Sequence, residues 1–303
     1  MLPSWDARYE TLAMLLHHYA RRSTWLPLSL QRKAATAFLR PTPATKQCQF
    51  RPVRVGPGAI AAEWFHHDQE SEAVLLYLHG GGYSIGSIDT HRDFIARLSQ
   101  KTRVTGFAVD YRLAPEHPFP AAVDDALEAY RHVLAQGHPP DRVVIAGESA
   151  GGGLTLALLL RLRDLGEAMP AAAAVISPWV DMEMTGSTVD PNTKYDFLSR
   201  KTLEAYARRY VADHQRRDPL ASPLHADMSG LPPLLVHAGG AEALCADATR
   251  IIERAKEHGV EVVSTIYPEM IHAFHLFGDI LPEGEKATAE VADFLRSKLD
   301  EGS

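Results

Sequence analysis

Short apolar runs rich in Val and Ile alternate with longer segments of helical period along the middle and end of this chain, and that alternation is the tightest constraint on its fold. Strands are expected at 73–78, 104–109, 142–146, 172–177, 233–238 and 261–267, with helices at about 90–100, 121–136, 151–165, 246–258 and 285–299. Each helical segment is long enough to cover a sheet face, so the expected class is α/β, a mostly parallel central sheet flanked by helices. Two earlier runs, near 50–55 and 60–65, extend the edge of that sheet. The 303 residues are read as a single domain, which an α/β chain of this length commonly forms.

Two segments interrupt the rhythm. In residues 1–45, Leu12, Leu15, Leu16 and Tyr19 fall on one helical face. Residues 178–225 lie between two expected strands, begin with a loop rich in Pro, Asp and Thr, and carry a helix near 199–212. Both are read as a helical cap, and the second must leave the sheet, pass above it and return where a substrate lid would sit.

Charge and cysteine usage exclude several classes of function. A net charge of −7, without any long Lys/Arg run, offers no electrostatic footprint for a phosphate backbone, so no nucleic-acid partner is expected. Cys48 and Cys245 make neither a disulfide framework nor a metal-ligand spacing, and the histidine pairs His17/His18 and His66/His67 lack suitable partners. No metal is expected. The apolar-rich run Leu154–Leu160 is far too short to span a bilayer, and Met1–Glu10 has no basic segment followed by an apolar one. A cytoplasmic location without stable membrane insertion is therefore expected.

The chemistry centres on Arg142–Gly151, where a β-run enters the pattern Gly147-Glu148-Ser149-Ala150-Gly151 and an apolar helix follows at once. A serine on so sharp a turn needs small neighbours, because side chains at 147 and 151 would meet the adjoining strand and helix. By itself the pattern also fits an anion-binding turn; strand, motif and helix together favour a nucleophile. A serine hydroxyl needs a base and donors for the oxyanion formed at the attacked carbonyl. His79-Gly80-Gly81-Gly82 follows the 73–78 strand, and the N–H groups of Gly81, Gly82 and Ala150 are the expected donors. His272, just beyond the last expected strand, is the expected base, with His275 a nearby rival that spacing alone does not exclude. Glu242, in the loop after the 233–238 strand, is the expected orienting acid. Asp247 is read instead as a helix-borne partner of the dipole.

From about residue 70 onward these motifs resemble the hormone-sensitive-lipase-like family of bacterial esterases. Asp110-Tyr111-Arg112-Leu113-Ala114-Pro115-Glu116 with Pro120-Ala121-Ala122, and Ser177-Pro178-Trp179, look like further signatures of that family. The resemblance implies an α/β-hydrolase fold, oxyanion donation from Gly81, Gly82 and Ala150, and His272 as the base. Many members use Asp as the acid, whereas Glu242-Ala243-Leu244 looks like a subgroup using Glu. It also implies a variable N-terminal cap that shapes the acyl pocket, and often a homodimer formed through an edge strand. The expected activity is hydrolysis of small uncharged esters with short to medium acyl chains, through an acyl-enzyme on Ser149 and without an organic cofactor. A non-catalytic small-molecule receptor on the same fold and an acyltransferase are the alternatives.

Overall fold

The computed structural model describes residues 6–23, 26–36, 42–67 and 71–301. Eight strands form one sheet: β1 (Gln49–Val55), β2 (Ile60–His66), β3 (Val74–Leu78), β4 (Thr105–Val109), β5 (Val143–Glu148), β6 (Ala172–Ile176), β7 (Leu234–Gly239) and β8 (Val262–Tyr267). Their order is β1-β2-β4-β3-β5-β6-β7-β8. Pairing is antiparallel at the first two contacts and parallel from β4 to β8. The two earliest strands extend one edge, as expected from their position ahead of the β-α repetition.

The side-chain period of two divides each central strand between two layers. Val74, Leu76 and Leu78 of β3, and Val143 and Ile145 of β5, join a core with α5 (Ala121–Ala135), α6 (Ala150–Leu165) and α8 (Cys245–Glu257). Leu75 and Tyr77, with Val144 and Ala146, face α4 (Ile88–Thr102) and α9 (Pro282–Glu301) instead. Burial on both faces is why these strands read as continuous apolar runs rather than alternating ones.

Three helices precede the sheet: α1 (Ala7–Ser23), α2 (Leu28–Thr36) and α3 (Pro43–Lys46). The buried stripe of α1 differs from the expected one. Tyr9, Ala13 and Leu16 are buried against Tyr267, Met270, Ile271 and Phe274, with Leu12 partly buried beside them. Leu15 is 55% exposed, and the Tyr19 side chain lies outside the described residues. The rotation has a specific anchor: the Tyr9 hydroxyl donates to Glu269 O and accepts from Ile271 N–H, at 3.0 and 2.7 Å.

Between β6 and β7 the chain makes the expected excursion, which contains α7 (Arg200–Tyr210). Its two ends are fastened together. Met182 N–H donates to Ser222 Oγ at 2.8 Å, and Leu224 N–H donates to Val180 O at 3.2 Å. No helix among the described residues is long and apolar enough to cross a membrane. Cys48 and Cys245 are both free and buried.

Candidate active site

Every expected site residue lies at or just beyond the carboxyl end of a parallel strand, the edge at which open α/β sheets place their ligands. Ser149 occupies the turn from β5 into α6 with φ +56° and ψ −122°. L-residues rarely adopt that conformation, at a cost of about 1–3 kcal/mol, and the surroundings impose it. A Cβ at Gly151 would stand 2.0 Å from Leu78 O and 2.6 Å from His79 O, so the helix start abuts the segment entering the glycine loop. The small residues around the serine thus let two backbone turns touch.

Glu148, which sequence reasoning passed over, cements that contact. Its buried carboxylate accepts from Gly80 N–H and Tyr77 OH, and pairs with His91 Nε2 at 2.8 Å. Burial would raise its carboxyl, but His91 and Tyr77 outweigh burial and hold it below the usual range. A charged residue at the end of an otherwise apolar strand was the available signal.

The glycine loop turns back on itself, with Ser84 and Ile85 N–H both donating to Gly81 O. Gly81 has φ +113°, a region that strongly favours glycine. The N–H groups of Gly81, Gly82 and Ala150 meet no acceptor among the described residues, and Ala150 opens α6, whose N-terminal dipole favours negative charge. Tyr206 of α7 lies over Gly82, and Tyr210 stacks on Tyr83 at 3.7 Å, so the excursion roofs the loop.

The fold brings Glu242 and His272 together. Glu242 Oε2 lies 3.7 Å from His272 Nδ1, both side chains being buried. That separation exceeds a hydrogen bond, and catalytic hydrogen bonds are commonly long before substrate binds. Ser177 joins the two loops: its hydroxyl donates to Glu242 Oε2 at 2.6 Å and accepts from Ala273 N–H at 3.1 Å. Ser149 is attached to the same junction, since its N–H donates to Ile176 O and its carbonyl accepts from Trp179 N–H, each at 2.9 Å. Burial works to lower the His272 imidazole, but Glu242 and Asp196 outweigh it and hold the ring above the usual 6.5.

The rival residues have other partners. His275 Nε2 pairs with His237 Nδ1 at 3.2 Å, and burial holds its ring well below the ordinary value. Asp247 does sit in the first turn of α8, but it is buried there, accepting from Val180 N–H at 3.1 Å and Arg250 Nη2 at 2.7 Å. Burial pushes its carboxyl up to about 7. Its place in the first turn is the one the dipole reading gives it, and its bonds also make it a pin between α8 and the excursion. A cavity of about 360 Å³, lined by Arg32, His79, Ser87, Asp110, Glu116 and His117, adjoins the glycine loop. Ser149 is not among the residues that line it.

A parallel sheet with a strained serine between strand and helix, an acid–histidine pair on later loops and a free-donor glycine loop together define a hydrolase architecture. Residues 75–276 match the sequence model of the family described as alpha/beta hydrolase fold. An acetyl-hydrolase of Streptomyces hygroscopicus is 43% identical over 246 residues, 81% of this chain and 82% of that protein. The crystal structure of an esterase/lipase from an uncultured bacterium superposes with a TM-score of 0.91 at 38% identity, covering 98% of this chain and 100% of that one. An esterase of the bacterial hormone-sensitive lipase family gives a TM-score of 0.89 at 36% identity, covering 98% and 99%. The chain belongs to the α/β-hydrolase fold family and, within it, to the hormone-sensitive-lipase-like esterases. It is a carboxylic ester hydrolase, which sets aside the receptor alternative.

Proposed function

We propose that the protein hydrolyses small uncharged esters with short to medium acyl chains through a covalent acyl-enzyme on Ser149. The observation that carries this reading is the Ser177 junction, which ties the backbone around Ser149 to both Glu242 and the His272 loop. His272 takes the Ser149 proton as the hydroxyl oxygen bonds to the ester carbonyl carbon, Glu242 orients the imidazole, and Gly81, Gly82 and Ala150 N–H hold the oxyanion. Collapse expels the alcohol, which receives the proton from His272. Water then repeats the attack and releases the acid. The residue 1–45 helices and the 178–225 excursion serve as a cap limiting the acyl chain, and the acetyl-hydrolase relative supports a short-chain preference.

One panel of esters tests the reading by varying acyl length and alcohol separately, with amides, lactones and added acceptor alcohols included. Hydrolysis should peak at short to medium acyl chains, with mass spectrometry locating a fluorophosphonate adduct on Ser149. Labelling elsewhere with Ser149 unmodified overturns the mechanism. Transfer to added alcohols outrunning hydrolysis reassigns the activity to acyl transfer.

A further inference from the structure

Beside the acid–histidine pair lies a second buried carboxylate, contributed by the excursion. Asp196 Oδ1 accepts from Phe197 N–H at 2.8 Å and from His272 N–H at 3.3 Å, while Oδ2 accepts from Ala243 N–H at 2.7 Å. The side chain is fully buried. Ala243 immediately follows Glu242, so one carboxylate grips the backbone of both loops that bear the pair. The next residue adds a ring contact, with Phe197 packing edge-on against the His272 imidazole at 5.7 Å between centroids.

We propose that Asp196 is a positioning residue for the ester hydrolase, a cap-borne carboxylate that sets the register of the acid and histidine loops and stabilises the His272 imidazolium formed during acyl transfer. The inference rests on reading Glu242 and His272 as the catalytic pair. A buried anion is expensive unless several donors satisfy it, and three backbone N–H groups from separate turns do so here. Its contribution is electrostatic as well as steric, because the charge stands against an imidazole that becomes cationic as Ser149 gives up its proton.

The groups facing Asp196 can be named element by element. Glu242 lies on the acid loop, His272 on the histidine loop and Tyr9 on α1, while the Asp196 main-chain carbonyl contacts His17 Nδ1 at 3.1 Å. Burial pushes the Asp196 carboxyl up to about 6, against lowering by His272 and the Ala243 N–H. It is therefore mostly ionised at neutral pH. Removing its charge disfavours imidazolium, so the pH at which His272 becomes a competent base must fall.

Asp196→Asn keeps the shape and discards the charge. The test is the pH profile of kcat/KM for a short-chain ester, with circular dichroism to verify folding. We expect the acid limb to move down by about half a pH unit or more and kcat to fall about 10-fold, with KM little changed. An acid limb that stays in place in a folded variant overturns the inference, whatever happens to kcat, because a purely structural staple would not move it. If the amide variant does not fold, Asp196→Ser, smaller and also neutral, is read by the same criterion. His272→Ala measured in parallel separates failure of the catalytic pair from failure of the role given to Asp196. Retained turnover there removes the catalytic pair itself, whereas loss of turnover with an unmoved Asp196→Asn limb removes only the role given to Asp196.

Discussion

The two halves of the candidate site combine backbone and side chains in different proportions. On the serine side, ten contiguous residues, Arg142–Gly151, supply a strand, a strained serine and a helix held against Leu78 O and His79 O by the absence of side chains, with the Glu148 carboxylate cementing the contact. On the acid–histidine side the backbone bonds Gly240 N–H to Tyr267 O and Ala241 N–H to Met270 O join the two loops, and distant side chains complete the placement. The Glu242 and His272 loops are held by Ser177 from the end of β6, Asp196 from the excursion and Tyr9 from α1, each through side-chain hydrogen bonds. Placement by local backbone can be read along the chain, while placement by distant side chains appears only once the chain is folded.

The sharpest way to break this contrast is to change the serine itself. Ser149→Ala should reduce ester turnover by on the order of 10⁴-fold while leaving the folded state intact, because no other group on that side can form the acyl-enzyme. Near-normal turnover in a protein with unchanged circular dichroism would sink the mechanism. On the opposite side His272→Ala should come close to that loss, and His275→Ala should retain most activity unless loss of its contact with His237 disturbs the fold. A reversed pair of results, from steady-state kinetics of both variants, would reassign the base.

The acid comes next. Glu242→Gln removes the charge that favours imidazolium while nearly preserving shape, so a loss on the order of 10²-fold is expected, against little change for Asp247→Asn. If Asp247→Asn is the crippled enzyme, the acid assignment fails. The wild-type pH profile belongs to the same comparison. Neutral imidazole is the competent form and its carboxylate neighbours raise the His272 pKa, so kcat/KM should rise with pH through a value above 6.5 and be lost as pH falls through it. A flat profile between about pH 5 and 8 in folded enzyme contradicts this.

The smallest effects on chemistry separate the two styles of construction. Ser177→Ala, which deletes the bonds to Glu242 and Ala273, should lower kcat about 10-fold. Gly151→Ala places a methyl group against backbone oxygen and should instead show itself in stability, about 3 kcal/mol by urea unfolding. If Ser177→Ala acts mainly on the unfolding midpoint and Gly151→Ala mainly on kcat, the proposed division of labour is wrong.

The same division explains what could be read in advance. Strand positions fell within a residue or two of those observed because runs such as Val74–Leu78 and Ala172–Ile176 are buried on both faces. The serine turn was legible for a comparable reason, since glycines at 147 and 151 report a local close approach. Leu15 was misplaced because the facing of α1 is fixed by Tyr9 reaching Glu269 and Ile271, some 260 positions away. Asp247 was legible as a helix-borne dipole partner but not as a pin, because its bond to Val180 N–H spans 67 residues. Asp196 carried no signal at all: an acidic residue in a Pro- and Thr-rich loop reads as solvated until two other loops are found closing over it.

The fastened ends of the excursion bear on how such enzymes can be re-engineered. Because Met182 meets Ser222 and Val180 meets Leu224, residues 183–221 leave and rejoin the body at a single doorway. An insert of another length could be grafted there at little entropic penalty, roughly 0.6 kcal/mol for each doubling. The graft would also have to fill the place of Asp196. Without an acceptor there, the N–H groups of Ala243 and His272 would be left orphaned, at a cost of about 1–3 kcal/mol each. Exchange of this module between relatives is therefore limited less by its length than by whether it delivers its polar partners, Asp196, Thr188 and Asn192, to the acid loop and the start of α8.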